Sequence, residues 1–391
     1  MDSRTAAGRL ALVHDFLVDL RGADRVFLAI ADIWPDAPIY TAVYDEEGTE
    51  GRFAHRDVRT SFLQRLHPSA ATFRGLLPLY PSAIESFDLS EYDLVLSSSS
   101  AWAHAVVCHE HTTHVSYCYN PFRYAWNDRD RTLADRPDPV SRAVLRGILR
   151  RWRQWDWIAA QRVDRYLTIS ETAQKRISHY WGRTATVVHP PVDTGRFAPA
   201  APGDYYLVLS ELMRHKRIDI AIHAFNRLRL PLVVVGDGPD ARRLRRMAGP
   251  TIRFAGRVPD PEAARLLAQC RALVVPAVEE FGLAAVEAQA SGRPVISVGA
   301  GGALETVVEG ETGVFWRGGP EALADAVASF DADAIDPDAC VRNAQRFSLE
   351  RFRERMPREV QRALNGERDH ERGMPRRPRS VSRRGLARPL R

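Results

Sequence analysis

The chain has 391 residues, more than one hydrophobic core ordinarily serves, so two domains of ordinary size are expected. No apolar run approaches the roughly 18–20 residues of a membrane span, and the run from Leu10 to Val13 stops at His14-Asp15, too short for a signal sequence, so a soluble protein kept in the cytoplasm is expected. The net charge of +6 resides in the last segment, where nine arginines between Gly366 and Arg391 face three acids and leave the body near neutral.

Short apolar strands alternate with amphipathic stretches from end to end, the pattern of parallel sheets covered by helices. A first sheet is expected over 10–14, 39–43, 93–97, 113–118, 165–169 and 185–189, with a helix over 22–33 after its first strand. Pro190-Pro191-Val192-Asp193 favours extended chain and marks a hinge. A second sheet is expected over 205–209, 232–235, 252–255, 272–275 and 295–297. A last helical stretch over 339–364 is expected to run back to the first domain. The chain therefore divides into 1–190, 191–345, a returning helix at 346–365 and a tail at 366–391. Rich in Arg, Pro, Ser and Gly, the tail buries too little to fold alone. It reads either as a hold on an anionic membrane or polyanion, or as a solvated appendage. The four cysteines, Cys108, Cys118, Cys270 and Cys340, have no CxxC spacing and read as reduced and structural.

The densest chemistry lies at 279–294. Glu279 and Glu287 stand eight positions apart around Phe281-Gly282, and Leu283, Val286 and Ala290 recur at helical spacing, which predicts a helix from about 282 to Ser291-Gly292. The first amides of such a helix form a phosphate site, with Glu287 one turn deeper towards a ribose and Glu279 on the far side, among sugar hydroxyls. After the first strand of the second sheet comes a basic run, Arg214-His215-Lys216-Arg217, where ligands of such sheets sit. Lys216 is the first candidate to neutralise a departing pyrophosphate; a solvated helix start is its other reading. Gly236-Asp237-Gly238-Pro239-Asp240-Ala241 matches GxGxxA after a strand and raises a dinucleotide fold, yet it follows the second strand of its domain, with no acid clearly placed about 20 residues on. A tight turn lining the cleft fits better. Gly22 either lets backbone approach the donor phosphates from the first domain or is a loop glycine.

Other groups carry less. His104, His109, His111 and His114 suggest a metal, but no carboxylate or thiol pattern completes a set. The triplets Asp128-Arg129-Asp130 and Asp331-Ala332-Asp333 do not follow apolar strands in a way that presents Mg²⁺ to a diphosphate. Between Arg142 and Arg165, Trp152, Trp155 and Trp157 stand beside Arg142, Arg146, Arg150 and Arg153, either on a membrane-surface helix or on one that buries its tryptophans.

Taken together, Glu279 and Glu287 around Phe281-Gly282, Lys216-Arg217, Gly256-Arg257-Val258 and Gly301-Gly302-Ala303-Leu304-Glu305-Thr306 resemble glycosyltransferase family 4 over nearly the whole chain to about Leu364. Val13-His14-Asp15, Pro38-Ile39-Tyr40-Thr41, Thr60-Ser61-Phe62-Leu63-Gln64-Arg65 and Pro121-Phe122-Arg123-Tyr124-Ala125-Trp126 resemble a bacterial branch of GDP-mannose-dependent mannosyltransferases of surface polysaccharide assembly. The resemblance implies an α/β, GT-B protein, two Rossmann-like parallel-sheet domains facing a cleft, that transfers a hexose with retention and without a metal or cofactor. It implies a nucleotide sugar and a glycan or lipid-linked acceptor as partners, with peripheral contact to the inner face of an anionic membrane and no nucleic acid. By position, Lys216 meets the diphosphate with Arg217 beside it, Glu279 the sugar, Phe281, Gly282 and Leu283 the sugar and phosphate through backbone, Glu287 the ribose, and Arg257 and Val258 the base. Gly22 and Gly236 line the donor site.

Three positions depart from the family. Glu211 stands where relatives commonly carry Arg, leaving Arg214, Arg217 or Arg21 to make up the second cation. Tyr119-Asn120 replaces a His-Thr pair near the reacting sugar, and the paired glycine of the first-domain loop reads Arg21-Gly22. Two rival functions follow: a non-catalytic GT-B protein that binds a sugar nucleotide or assists a partner, suggested by Glu211 and Tyr119, and an NAD-dependent enzyme or epimerase, suggested by Gly236.

Overall fold

The computed structural model describes residues 4–5, 8–67, 69 and 72–366. The first domain holds strands β1 (Arg4–Thr5), β2 (Gly8–His14), β3 (Ile39–Thr41), β4 (Val58–Thr60), β5 (Leu94–Ser99), β6 (Thr113–Cys118), β7 (Arg165–Thr168) and β8 (Ala185–Val187). Seven of them form a parallel sheet in the order β4-β3-β2-β5-β6-β7-β8, and β1 pairs antiparallel with β2. The second domain holds β9 (Tyr206–Leu209), β10 (Leu232–Val235), β11 (Ile252–Gly256), β12 (Leu273–Val275), β13 (Val295–Val298) and β14 (Gly313–Trp316), all parallel, in the order β11-β10-β9-β12-β13-β14. The expected fold of two Rossmann-like domains is present.

Central strands of such sheets are buried on both faces, so neither face needs polar residues. Alternate side chains of β2 accordingly enter different cores: Leu10 and Leu12 one, Ala11 and Val13 the other. In β10, Leu232 and Val234 face one cluster and Val233 and Val235 its opposite. In each sheet the strand order reverses beside the first long strand, since β2 lies between β3 and β5, and β9 between β10 and β12. Loops leaving strand ends at such a reversal diverge and open a crevice. The two crevices face each other.

The chain crosses to the second domain after β8 and returns at its end. Val192 bridges to Ser348, and the helix Leu349–Leu364 packs on the first-domain helix Gly22–Ile33 and on β6. Phe352, Met356 and Val360 recur every four residues and sink into the same core as Leu12 and Phe27. Each such buried side chain contributes about 1.5–3 kcal/mol, a strong hold for a terminal helix. Glu359 adds an ion pair to Arg165 at 3.0 Å, with both side chains nearly enclosed.

Three strands were not expected from sequence: β1, β4 and β14. The expected continuous helix over 339–364 is broken. It runs as Pro337–Ala344, a tight turn Gln345–Phe347 and Leu349–Leu364, because Ser348 is extended and its hydroxyl caps a new helix at the Arg351 amide. Of the expected tail, residues 367–391 lie outside the described residues.

Candidate functional site

The loop after β12 ends at Gly282, whose φ of 95° is left-handed. A Cβ there would meet only ordinary contacts, so backbone conformation rather than space requires the glycine. The helix Leu283–Ala290 starts from this corner, and no side chain caps it. Gly282, Leu283 and Ala284 line an interdomain cavity of about 820 Å³. Uncapped amides there carry the partial positive charge of a helix start and suit an anion.

Lys216 and Glu279 meet at one edge of this corner. The Lys216 ammonium donates to both oxygens of Glu279, at 2.9 and 2.7 Å, and both side chains are about one-fifth exposed. Lys216 is placed by the turn Arg214–Lys216 that follows β9. Glu287 lies a turn into the helix and also lines the cavity. Burial raises its carboxyl above the usual glutamate range, while Arg25 and Arg196 pull the other way. Phe281 is buried, its ring 5.6 Å from that of His189 and 5.3 Å from that of Phe347, which fixes the corner against the chain crossing.

The first domain supplies the facing wall through the start of helix Gly22–Ile33. Gly22 lies opposite Leu283, whose Cδ1 would be 3.3 Å from a Cβ at that position. Arg21 donates to Glu211 across the cleft at 2.5 Å and to Asp19 at 2.8 Å. Of the three candidates to make up for Glu211, Arg21 is the one that lines the cavity. Arg217 adopts a left-handed turn (φ 50°) that reverses the chain, and its guanidinium pairs with Asp219 at 3.3 Å. Arg214 is largely exposed, 3.6 Å from Asp135. Arg257 and Val258 line the cavity, Arg257 reaching Asp19 at 3.3 Å.

Tyr119 and Asn120 also reach the cavity wall, but their polar groups are engaged. The Tyr119 hydroxyl accepts from Ser98 at 2.9 Å and donates to the Ala23 carbonyl at 3.0 Å. Asn120 accepts from Arg176 at 2.9 Å. Gly236 lines the cavity too. A Cβ on it would fall 1.9 Å from the Ser210 carbonyl oxygen, and one on Gly238 would fall 2.6 Å from that of Leu212. These glycines are required by packing against the loop after β9, which explains the GxGxxA spacing without a dinucleotide.

Two acidic anchors went unseen in the sequence. Glu280 Oε1 accepts from Arg123 at 2.9 Å and from Arg176 at 3.0 Å, both from the first domain. Burial pushes the Glu280 carboxyl up, but Arg123, Arg176 and Lys216 outweigh it and hold it below its usual range. Arg123 also donates to His215 at 3.0 Å; burial, with Arg123 and Lys216 nearby, depresses that imidazole to about 4. Asp260 takes a bidentate pair from Arg25 at 2.8 and 2.9 Å and a contact from Arg196 at 2.8 Å. The only sequence sign of Glu280 was its place beside Glu279. Asp260 gave none.

The histidines do not converge. His104 and His114 are buried against Ser99 and Ser97, whereas His109 and His111 stack on each other. Among the described residues no three His, Cys, Asp or Glu side chains are grouped to hold a metal ion.

Fold and cleft together define a protein of two facing Rossmann-like domains with a charged site between them. Residues 196–347, the second domain and its borders, match the family model "Glycosyl transferases group 1". A GDP-mannose-dependent alpha-(1-6)-phosphatidylinositol monomannoside mannosyltransferase of Mycolicibacterium smegmatis is 31% identical over 229 residues, covering 50% of this chain and 57% of that protein. A glycogen synthase of Mycobacterium tuberculosis is 31% identical over 203 residues, covering 46% and 48%. The chain thus spans about half the length of the curated relatives it matches. Among solved structures, Anabaena HepE in complex with UDP-glucose superposes with a TM-score of 0.66 at 17% identity, covering 90% of this chain and 99% of that one, a likeness of fold.

Proposed function

We propose that the protein transfers a hexose from a nucleotide diphosphate donor to a hydroxyl of a glycan or lipid-linked acceptor, with GDP-mannose the favoured donor. The observation that carries this is the placing of Lys216 and Glu279, the uncapped start of helix Leu283–Ala290 and Glu287 around one interdomain cavity. The diphosphate sits at the helix start, Lys216 neutralises the charge that grows on it, Glu279 holds sugar hydroxyls, and Glu287 holds the ribose. The acceptor oxygen bonds to the anomeric carbon on the face from which the diphosphate departs. Its proton passes to the leaving diphosphate oxygen, so configuration is retained and no protein nucleophile is used. The engaged Tyr119 hydroxyl is consistent with this, since no base is required of it. The name of the Mycolicibacterium relative supports GDP-mannose, and the mannosyl product suits surface polysaccharide assembly.

The reading is tested by thermal-shift screening against a panel of nucleotide sugars, followed by a transfer and donor-hydrolysis assay with the best ligand. Stabilisation by a nucleotide sugar with turnover supports it. Binding without transfer or hydrolysis indicates a non-catalytic binding protein, and stabilisation by NAD alone overturns it.

A further inference from the structure

His14 ends β2, where the strand order of the first sheet reverses, and it is buried. Its ring stacks on Phe27 of helix Gly22–Ile33, with centroids 4.4 Å and planes 10° apart. Any flat ring would serve that contact, yet both ring nitrogens are also engaged. Nε2 lies 3.2 Å from Asp24 Oδ1, and Nδ1 lies 3.1 Å from both the hydroxyl and the carbonyl oxygen of Ser98, its partner in the β2–β5 register. The transfer reading leaves this imidazole without a role.

Each nitrogen begins an arm that ends on the same corner of the first-domain wall. In one arm the second carboxylate oxygen of Asp24 accepts from the Arg21 amide at 3.0 Å. In the other, Ser98 donates to the Tyr119 hydroxyl at 2.9 Å, and Tyr119 donates to the Ala23 carbonyl at 3.0 Å. The arms close a circuit through residues 21–24, the start of helix Gly22–Ile33. Arg21 gives this helix start no side-chain cap, since a guanidinium has no acceptor to offer, so the corner depends on the two arms. Ser98 belongs to β5 and Tyr119 directly follows β6, the next two strands beside β2, so the circuit is anchored in the sheet. His14, Asp24, Ser98 and Tyr119 are all buried, where a polar atom that loses its partner is costly and the circuit holds as a unit.

We infer that His14 is a positioning residue of the cleft: from β2 it fixes the corner 21–24 by both arms and so sets where Arg21 and Gly22 face the cavity. A glutamine cannot take its place, because the two partners lie on opposite edges of the imidazole. That the corner places Arg21 and Gly22 against a donor diphosphate rests on the transfer reading. The hold on the corner does not.

Hydrogen exchange, followed by mass spectrometry on the ligand-free full chain, tests the hold. Tyr119→Phe opens one arm and keeps the aromatic bulk, and His14→Gln can reach only one of the two partners. Peptides spanning 20–25 are expected to exchange roughly tenfold faster in Tyr119→Phe and faster still in His14→Gln, with β2, β5 and β6 unchanged. Unchanged exchange at 20–25 in a variant with the wild-type melting curve overturns the inference, as does an equal rise through the whole first domain, which is loss of packing. Tyr119→Phe decides alone if His14→Gln does not fold.

Calorimetric titration with GDP tests the positioning. Arg21→Gln is expected to lower GDP affinity roughly three- to tenfold in the wild-type background and less than about twofold in Tyr119→Phe, because a guanidinium that is no longer aimed contributes little. A merely structural role would leave that factor the same in both backgrounds, and equal factors overturn the positioning. Failure of the wild type to bind GDP sinks the transfer reading instead, and the exchange result still decides whether His14 holds the corner.

Discussion

The two walls of the cleft hold their charges differently. On the second-domain wall Lys216 and Glu279 satisfy each other within one domain, and Glu287 sits on the helix that starts at Gly282. On the first-domain wall Arg21, Arg25, Arg123 and Arg176 reach across to Glu211, Asp260 and Glu280. The Lys216–Glu279 pair is therefore made within the second domain alone, whereas each of the four arginines is paired with an acid of the opposite domain. Residues 196–347, which match the group 1 family, contain all of the second wall. On the proposed transfer reading, the donor-holding groups are those with partners inside their own domain, and the cross-domain pairs set how the two walls meet.

Breaking the internally paired wall should cost most. Lys216→Ala is expected to lower kcat/KM by about 10²–10³, the scale for removing one group aimed at developing charge. Glu279→Ala should reduce kcat by about 10² with a smaller change in donor affinity, while Glu287→Ala should weaken donor binding by up to about tenfold. Steady-state kinetics with a calorimetric GDP titration separates these. Wild-type values for both glutamate variants would remove the site from this cleft.

The same division sets what the sequence discloses. Glu279, Glu287 and the helix after Gly282 are legible because a corner, a helical period and two acids fall within a dozen residues, and Lys216 because it follows a strand end. The cross-cleft pairs are not legible. Arg25 and Asp260 are 235 positions apart, and each sits near the start of its own helix, where a charge reads as solvated. Arg217 looked equivalent to Lys216 until a left-handed residue turned it away. The missed strands β4 and β14 are three and four residues at sheet edges, ordered by their neighbours more than by their own pattern. Arg21 was read from sequence as a cation that could make up for the one missing at Glu211, and its guanidinium instead bonds Glu211 itself.

Disturbing the cross-domain pairs should do less. Glu280→Gln leaves Arg123 and Arg176 without their carboxylate and is expected to lower turnover roughly tenfold through misplacement of the adjoining Glu279, with donor affinity nearly kept. Acid should act on the same pairs. Glu280 and Asp260 are both held below their usual range, so their stabilisation is complete above the unfolded value near pH 4 and is lost as pH falls through the lowered folded values. Melting temperature should therefore decline below about pH 4, and less so in Glu280→Gln. An identical acid profile for variant and wild type would show that Glu280 does not hold the domains.

The smallest effect expected is a gain. Arg21 is a first-domain cation that lines the cavity, yet Glu211 and Asp19 already occupy its guanidinium. On the transfer reading a diphosphate must compete with Glu211 for it. Glu211→Gln keeps the shape and removes the competitor, so GDP should bind more tightly. The pair is partly exposed, with Arg21 two-fifths and Glu211 one-third open to solvent, so the gain is roughly two- to fivefold, the scale of a screened ion pair. Arg21→Gln should weaken GDP binding, and the double variant should bind no better than Arg21→Gln alone, because the guanidinium for which Glu211 competes is then gone. Tighter binding in the double variant than in Arg21→Gln would mean that Glu211 repels the donor directly, and the cross-cleft pair would then be incidental to donor recognition.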